Sequence, residues 1–373
     1  MTLSRLHISN VRNLQDIKLE NLSKINVFYG ANGSGKTSVL EAIHILGMAR
    51  SFRGSSIRSL ITHERPDCTV HGLAKVPLSG NMQTLGVQRV RTGTSQIKVA
   101  GSPVRSVAEL VEHLPLQVIN SDGFNLLTGS PSVRRQFLNW GVFHVEHHFF
   151  GEWQRFQRCI KQRNMVLRRG KIDESELLVW SRDLAVSGEK INTYRQLYIE
   201  LLLPRFLAIM EALMPYLAGG LELRYRKGWD KALAFDVALT NSLEMDQEQG
   251  YTHVGPQRAD IKVLTGGHSA SETLSRGQQK LVVCGLKLAQ GMLLTQLGRG
   301  ICTYLVDDLP SELDKEHCER VCEILSDMDA QVFITCVDKA DITALWPRAE
   351  ELALFHVEQG DIAPESVFGE HTD

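Results

Sequence analysis

The 373-residue chain contains no uninterrupted apolar run of the roughly 18 residues that a membrane-spanning helix requires, so no membrane partner is expected. It has no sustained heptad pattern, which excludes a long coiled coil. It has no excess of positive charge: 41 Lys and Arg stand against 43 Asp and Glu, a net charge of −2 with histidine neutral. A chain so balanced does not attract a polyanion through its total charge, and any nucleic-acid contact must come from a local patch. The seven cysteines are scattered. Cys318 and Cys322 are the one close pair, and no second pair completes a zinc site. Met1 to Leu6 lack the apolar centre of a signal peptide. Reduced thiols and a cytoplasmic location are the expectation.

What the chain does have is a complete phosphate-binding loop. Gly30-Ala31-Asn32-Gly33-Ser34-Gly35-Lys36-Thr37 satisfies G-x-x-x-x-G-K-S/T. Ile25-Asn26-Val27-Phe28-Tyr29 leads in as a strand, and Ser38-Val39-Leu40-Glu41-Ala42-Ile43 leads out as a helix. The glycines let backbone N–H groups turn inward around phosphate oxygens, and the helix N-terminus adds a favourable dipole. The loop and Ser38 are therefore expected to bind ATP. Lys36 should reach the β- and γ-phosphates and serve catalysis, and the Thr37 hydroxyl should hold magnesium.

Downstream, Tyr304-Leu305-Val306 runs straight into Asp307-Asp308, as a buried parallel strand does when it ends at an active site. Asp307 is expected on magnesium, and Asp308 to orient and deprotonate the attacking water. Between these elements, Leu274-Ser275-Arg276-Gly277-Gln278 opens an apolar-periodic stretch. Ser275 reads as a helix N-cap, and Gly277 leaves room for a ligand to come close.

The string L-S-x-G-Q resembles the signature motif of ABC-type ATPases, and Ser311-Glu312-Leu313-Asp314 is similar to their D-loop. The resemblance implies an ATP-dependent homodimer in which Ser275, Gly277 and Gln278 meet the nucleotide of a second subunit. By the same resemblance Gln117 is a candidate magnesium-side glutamine, against the plainer reading of an exposed polar side chain. Thr335 ends a strand where many such ATPases carry a switch histidine, and is expected to make at most a weak contact to the γ-phosphate region. The signature lies 239 residues beyond Lys36, far more than a short crossover needs. This spacing points to an SMC-like head with a compact insertion.

Finer strings carry a closer resemblance: Val11-Arg12-Asn13, Arg50-Ser51-Phe52-Arg53, Gly129 through Leu138, Lys161-Gln162-Arg163-Asn164 and Gly255-Pro256-Gln257-Arg258-Ala259-Asp260. Together with the nucleotide motifs, the chain resembles the RecF family of bacterial repair ATPases from end to end. It departs from that pattern at Val11, Ser121-Asp122, Asn139 and Ala259-Asp260. The resemblance implies an ATP- and magnesium-dependent protein of recombinational repair, replication restart and the SOS response to DNA damage. It implies a dimer that clamps double-stranded DNA or junctions of double- and single-stranded DNA, with weak DNA-stimulated hydrolysis releasing it. It also implies work with RecO and RecR to load RecA at gaps. The alternatives are an ABC-type ATPase of a nuclease-associated repair complex or of a membrane transporter.

The expected fold is α/β: an ABC/SMC-type P-loop head of mixed sheets and helices from residues 1–128 plus 252–373, and a mostly helical inserted lobe over 129–251. Residues 69–100 alternate as antiparallel strands, and 132–217 read as helices broken at Gly170 and Pro204. Two basic patches compete for DNA. In one, Trp153, Phe156, Ile160 and Leu167 recur at helical spacing, leaving Arg155, Arg158 and Lys161 on other faces with no acidic residue from Trp153 to Lys171. The other is Arg50 and Arg53, followed by Arg58. Each reads equally as phosphate contacts or as an ordinary solvated surface.

Overall fold

Ile25–Tyr29 is buried at four of its five positions, as a strand covered on both faces must be. A computed structural model, which describes residues 1–54, 56–76, 80–104, 106–169 and 171–365, places it inside a six-stranded sheet. The strand order is Asp361–Glu365, Leu352–Glu358, Ile25–Tyr29, Ala330–Cys336, Cys302–Val306 and Leu116–Ile119. All neighbours are parallel except the terminal hairpin. Cys302–Val306 and Ala330–Cys336 are buried throughout, which their unbroken apolar runs foretell.

A second six-stranded sheet is antiparallel: Leu14–Leu19, Thr2–Val11, Asp67–Lys75, Met82–Val90, Ser95–Val99 and Ser102–Pro103. The alternation expected over 69–100 is seen in Asp67–Lys75, whose burial alternates along most of its length. The helix Lys36–Met48 packs against both sheets, and 11 of its 13 residues are buried. Two glycines set how close it comes. A Cβ on Gly72 of the antiparallel sheet would lie 2.5 Å from Leu46 Cδ2, and one on Gly47 would lie 2.4 Å from Leu116 Cδ1. Leu6, Ile8, Phe28, Ile43, Leu46 and Phe333 join one core there. These elements form the first of two compact units, Met1–Gly123 with the chain from Lys280 onward.

The second unit is Phe124–Gln279. It holds the helices Pro131–Val145, Phe149–Leu167 and Glu174–Leu213, and a three-stranded antiparallel sheet of Leu221–Arg226, Asp260–Thr265 and His268–Ser269. Residues 252–279, expected with the head, belong here, because Asp260–Thr265 pairs over its whole length with Leu221–Arg226. The expected break at Pro204 is absent: the helix runs 40 residues through it. Proline removes one N–H and disturbs the preceding carbonyls. The Arg205 guanidinium donates to the Leu201 carbonyl at 2.7 Å, and packing of Leu202, Phe206 and Ile209 holds both halves in line. The break expected at Gly170 lies outside the described residues.

Several strings that carried the family resemblance are anchors of this second unit. Arg134 donates to both oxygens of Asp260, at 2.6 and 3.0 Å, and Arg135 donates to the Ala259 carbonyl at 3.0 Å. Arg163, 1% exposed, pairs at 2.7 Å with Asp246, which is fully buried, and donates to the Thr252 hydroxyl at 2.7 Å. Asn164 accepts the Thr252 N–H at 2.9 Å. Asn139, where the resemblance leads one to expect aspartate, accepts from buried Arg195 at 2.8 and 3.2 Å, and burial pulls the Arg195 pKa down. Such buried charges need a full set of partners, and these residues supply them to one another.

Candidate nucleotide site

The phosphate loop turns on Gly30, Gly33 and Gly35, with φ of 150°, 81° and 123°. Those values are open to glycine and strained for other residues. The Lys36 ammonium lies across the loop, donating to the Gly30 carbonyl at 2.7 Å and the Ala31 carbonyl at 3.0 Å. The Ser34 hydroxyl is buried and makes no hydrogen bond among the described residues. A compact cation held only by carbonyls, an orphaned hydroxyl and the N-terminus of a 13-residue helix fit a chain of phosphates.

The loop and the twin aspartates are joined directly. Thr37 Oγ1 donates to Asp307 Oδ1 at 2.9 Å. Thr335 Oγ1 donates to the same oxygen at 2.8 Å and accepts the Asp308 N–H at 2.9 Å. Thr37 and Asp307 thus offer hard oxygen donors to a magnesium ion. Strand register explains the meeting: Val306 lies between Ile119 and Ile334, so Asp307 and Thr335 emerge at the same edge of the sheet. Asp308 takes a left-handed backbone conformation, φ 54° and ψ 52°, which costs about 1–2 kcal/mol without glycine. Its Oδ2 accepts the Ser311 hydroxyl at 2.6 Å. Thr335, expected to make at most a weak contact to the γ-phosphate region, is bonded to both aspartates. The signal in the sequence was a hydroxyl ending a buried apolar strand. Beside it, burial pushes the Cys336 thiol up to about 12, which favours its protonated form.

Gln117 is corrected. It sits in the body of its strand opposite Tyr304, three residues before Asp307, and its amide donates to Gln290 at 2.9 Å. It is buried in a side-chain pair, so it is neither an exposed polar residue nor at the strand end beside Asp307.

At the signature, Gln278 N–H donates to Ser275 Oγ at 3.3 Å and Ser275 N–H to Gln278 Oε1 at 2.9 Å. This reciprocal capping box opens the helix Arg276–Gln296. Ser275 and Gly277 are exposed, and a Cβ on Gly277 would meet no atom within 4 Å. The internal packing of the fold therefore does not require glycine there. The Gln278 side chain, expected on nucleotide, is committed to the cap. In the D-loop string, Glu312 pairs with Lys280 at 2.7 Å, and Asp314 caps the helix Lys315–Asp327 through the His317 N–H at 3.1 Å. That bond leads the contacts that hold the Asp314 pKa below the ordinary carboxylate value.

The basic candidates separate by surroundings. Arg50 and Arg53 are exposed in the first unit. In the second, Phe156 and Leu167 are buried and Trp153 and Ile160 half-buried, so Arg155, Arg158 and Lys161 face solvent. Arg155 is engaged with Asp183 at 2.9 Å.

The model of the RecF/RecN/SMC N terminal domain matches residues 2–361. The chain is 49% identical over 362 residues to the DNA replication and repair protein RecF of Stutzerimonas stutzeri (strain A1501), covering 97% of each chain. It is 50% identical over 362 residues to the protein of that name from Pseudomonas syringae pv. tomato, covering 97% of this chain and 98% of the relative. A solved structure of the recombination mediator protein RecF with ATP superposes with a TM-score of 0.85 at 27% identity over 98% of both chains. An Smc head bound to the C-winged helix domain of ScpA shares the fold alone, at a TM-score of 0.58 and 15% identity over 98% of both chains.

The exchange Thr335→Val keeps the volume and removes both hydroxyl bonds. Steady-state hydrolysis should fall about tenfold, on the order of the worth of a hydrogen bond to a charged group. Equilibrium ATP affinity should stay within about twofold, since Lys36 and the loop are untouched. A wild-type turnover rate would show that the aspartates hold their positions without Thr335.

Proposed function

The chain belongs to the RecF family of DNA replication and repair proteins, and from that premise we propose that it is an ATP-driven dimeric clamp on DNA. ATP binds on residues 30–38, with Lys36 on the β- and γ-phosphates. Thr37 and Asp307 would hold magnesium, which would supply charge neutralisation on those phosphates. Asp308 accepts the proton of the attacking water at its carboxylate, oriented by the Ser311 hydroxyl on Oδ2. Aspartate is one methylene shorter than glutamate and carries its carboxylate on a strained backbone, which suits slow turnover.

The observation that carries the dimeric reading is the exposed capping box at Ser275, with open space at Gly277. A helix N-terminus with free room in front of it suits the γ-phosphate of a nucleotide held by a second copy. ATP closes the dimer on double-stranded DNA or on its junctions with single strands, and hydrolysis opens it. RecO and RecR are the partners in this reading, and loading of RecA at gaps is the outcome. DNA contact falls to Arg158 and Lys161, with Arg50 and Arg53 as the second patch.

Ser275→Arg should bind ATP as the wild type does, remain monomeric with ATP in analytical ultracentrifugation, and lose hydrolysis. A dimer that hydrolyses normally would overturn the composite site. ATP-dependent binding to duplex DNA should weaken with salt at a log–log slope of about −0.9 per neutralised phosphate. Replacing Arg158 and Lys161 together with alanine should flatten that slope by up to about two such units and leave ATP affinity alone. An unchanged slope moves the contact to Arg50 and Arg53.

A further inference from the structure

We infer that Asn13, which touches no reacting group, is a positioning residue that aims the phosphate loop from behind. The inference rests on the reading of residues 30–37 as a nucleotide loop.

Three segments far apart in sequence converge on one carbonyl. Asn13 Nδ2 donates to the Ser34 carbonyl at 3.0 Å. The Gly360 N–H donates to the same oxygen at 2.8 Å. Both lone pairs of that carbonyl are thereby engaged. Asn13 Oδ1 meanwhile accepts the Ser38 hydroxyl at 2.9 Å, one residue past the Lys-Thr pair. One amide thus spans the loop from Ser34 to the first turn of its helix. The Ser34 carbonyl also fixes which way the amide faces, since an oxygen turned toward it would meet another acceptor.

The consequence follows from peptide geometry. In a trans peptide the C=O and the following N–H point in opposite directions, and the chain has no cis bond among its described residues. A Ser34 carbonyl held toward Asn13 and Gly360 therefore turns the Gly35 N–H the opposite way, into the loop where phosphate oxygens are to be met. The clamp is close-fitting. A Cβ on Gly35 would lie 2.8 Å from Asn13 Nδ2, and one on Gly360 would lie 2.4 Å from the Asn13 carbonyl oxygen. Asn13 is itself secured by its neighbour. Arg12 donates to both oxygens of fully buried Glu41 on the phosphate-loop helix, each at 2.8 Å, and those bonds raise the Arg12 pKa. This assigns a role to the Val11-Arg12-Asn13 string and to Gly360, which lies in the turn between Leu352–Glu358 and Asp361–Glu365.

The test uses Asn13→Asp, Asn13→Ala and Lys36→Ala in the full chain. ATP and ADP affinities are measured by equilibrium binding, and ligand-free thermal unfolding is followed in parallel. Asn13→Asp keeps the acceptor for Ser38 and replaces the donor to Ser34 with an anion. It should weaken ATP and ADP alike by about tenfold, and Asn13→Ala by about fivefold, the worth of one or two hydrogen bonds. The ligand-free unfolding midpoint should stay within a few degrees of wild type, which a purely structural role would not allow. Wild-type affinity in both Asn13 variants would overturn the proposal. Failure of both to fold would also overturn it, by assigning Asn13 to stability. Wild-type affinity in Lys36→Ala would instead overturn the nucleotide reading of the loop.

Discussion

The expected magnesium and water positions of this protein meet at one carboxylate oxygen, Asp307 Oδ1, which receives hydroxyls from both Thr37 and Thr335. Those bonds join the start of the phosphate-loop helix to the ends of two parallel strands. Asp308 is added to the set through its N–H on Thr335. Groups separated by 270 residues of chain are thus held within hydrogen-bond reach of one another. That arrangement requires the helix Lys36–Met48 to stand at a fixed depth against the parallel sheet, which Gly47 on one side and Gly72 on the other permit. Preorganisation of this kind is where the packing of a core becomes catalysis.

The nucleotide core was legible because its chemistry is local. A phosphate loop must have its glycines, lysine and hydroxyl within eight residues, and a strand ending in two carboxylates shows itself as an apolar run that stops. The parallel sheet, the antiparallel meander and the capping role of Ser275 could all be read in this way. Long-range relations were not legible. Nothing near Gln117 reveals that its partner is Gln290, and nothing near residues 252–265 reveals that Asp260–Thr265 pairs with Leu221–Arg226. Pro204 misled for the opposite reason: a local rule for helix breaking was overridden by tertiary packing along a 40-residue helix. Asn13 was visible as part of a recurring string, but its work became clear only when Ser34, Ser38 and Gly360 came together around it.

The division into two units assigns different work to different strings. The loop and twin aspartates belong to the first, and the signature's capping box to the second. Residues of the strings that make the sequence look like its family, including Arg134, Arg163 and Asn164, hold the second unit together through buried polar bonds. Family resemblance here records the demands of folding as much as those of function.

On the proposed function, one active site needs the phosphate loop of one copy and the signature of another. This requirement is tested most directly by mixing two inactive proteins, one carrying Lys36→Ala and the other Ser275→Arg, and measuring ATP hydrolysis. In a mixed dimer both lesions fall in the same composite site, leaving the other site intact. Neither protein should hydrolyse ATP alone, and the mixture should recover a fraction of wild-type turnover. A mixture as inactive as its parts, with dimers present, would contradict that requirement.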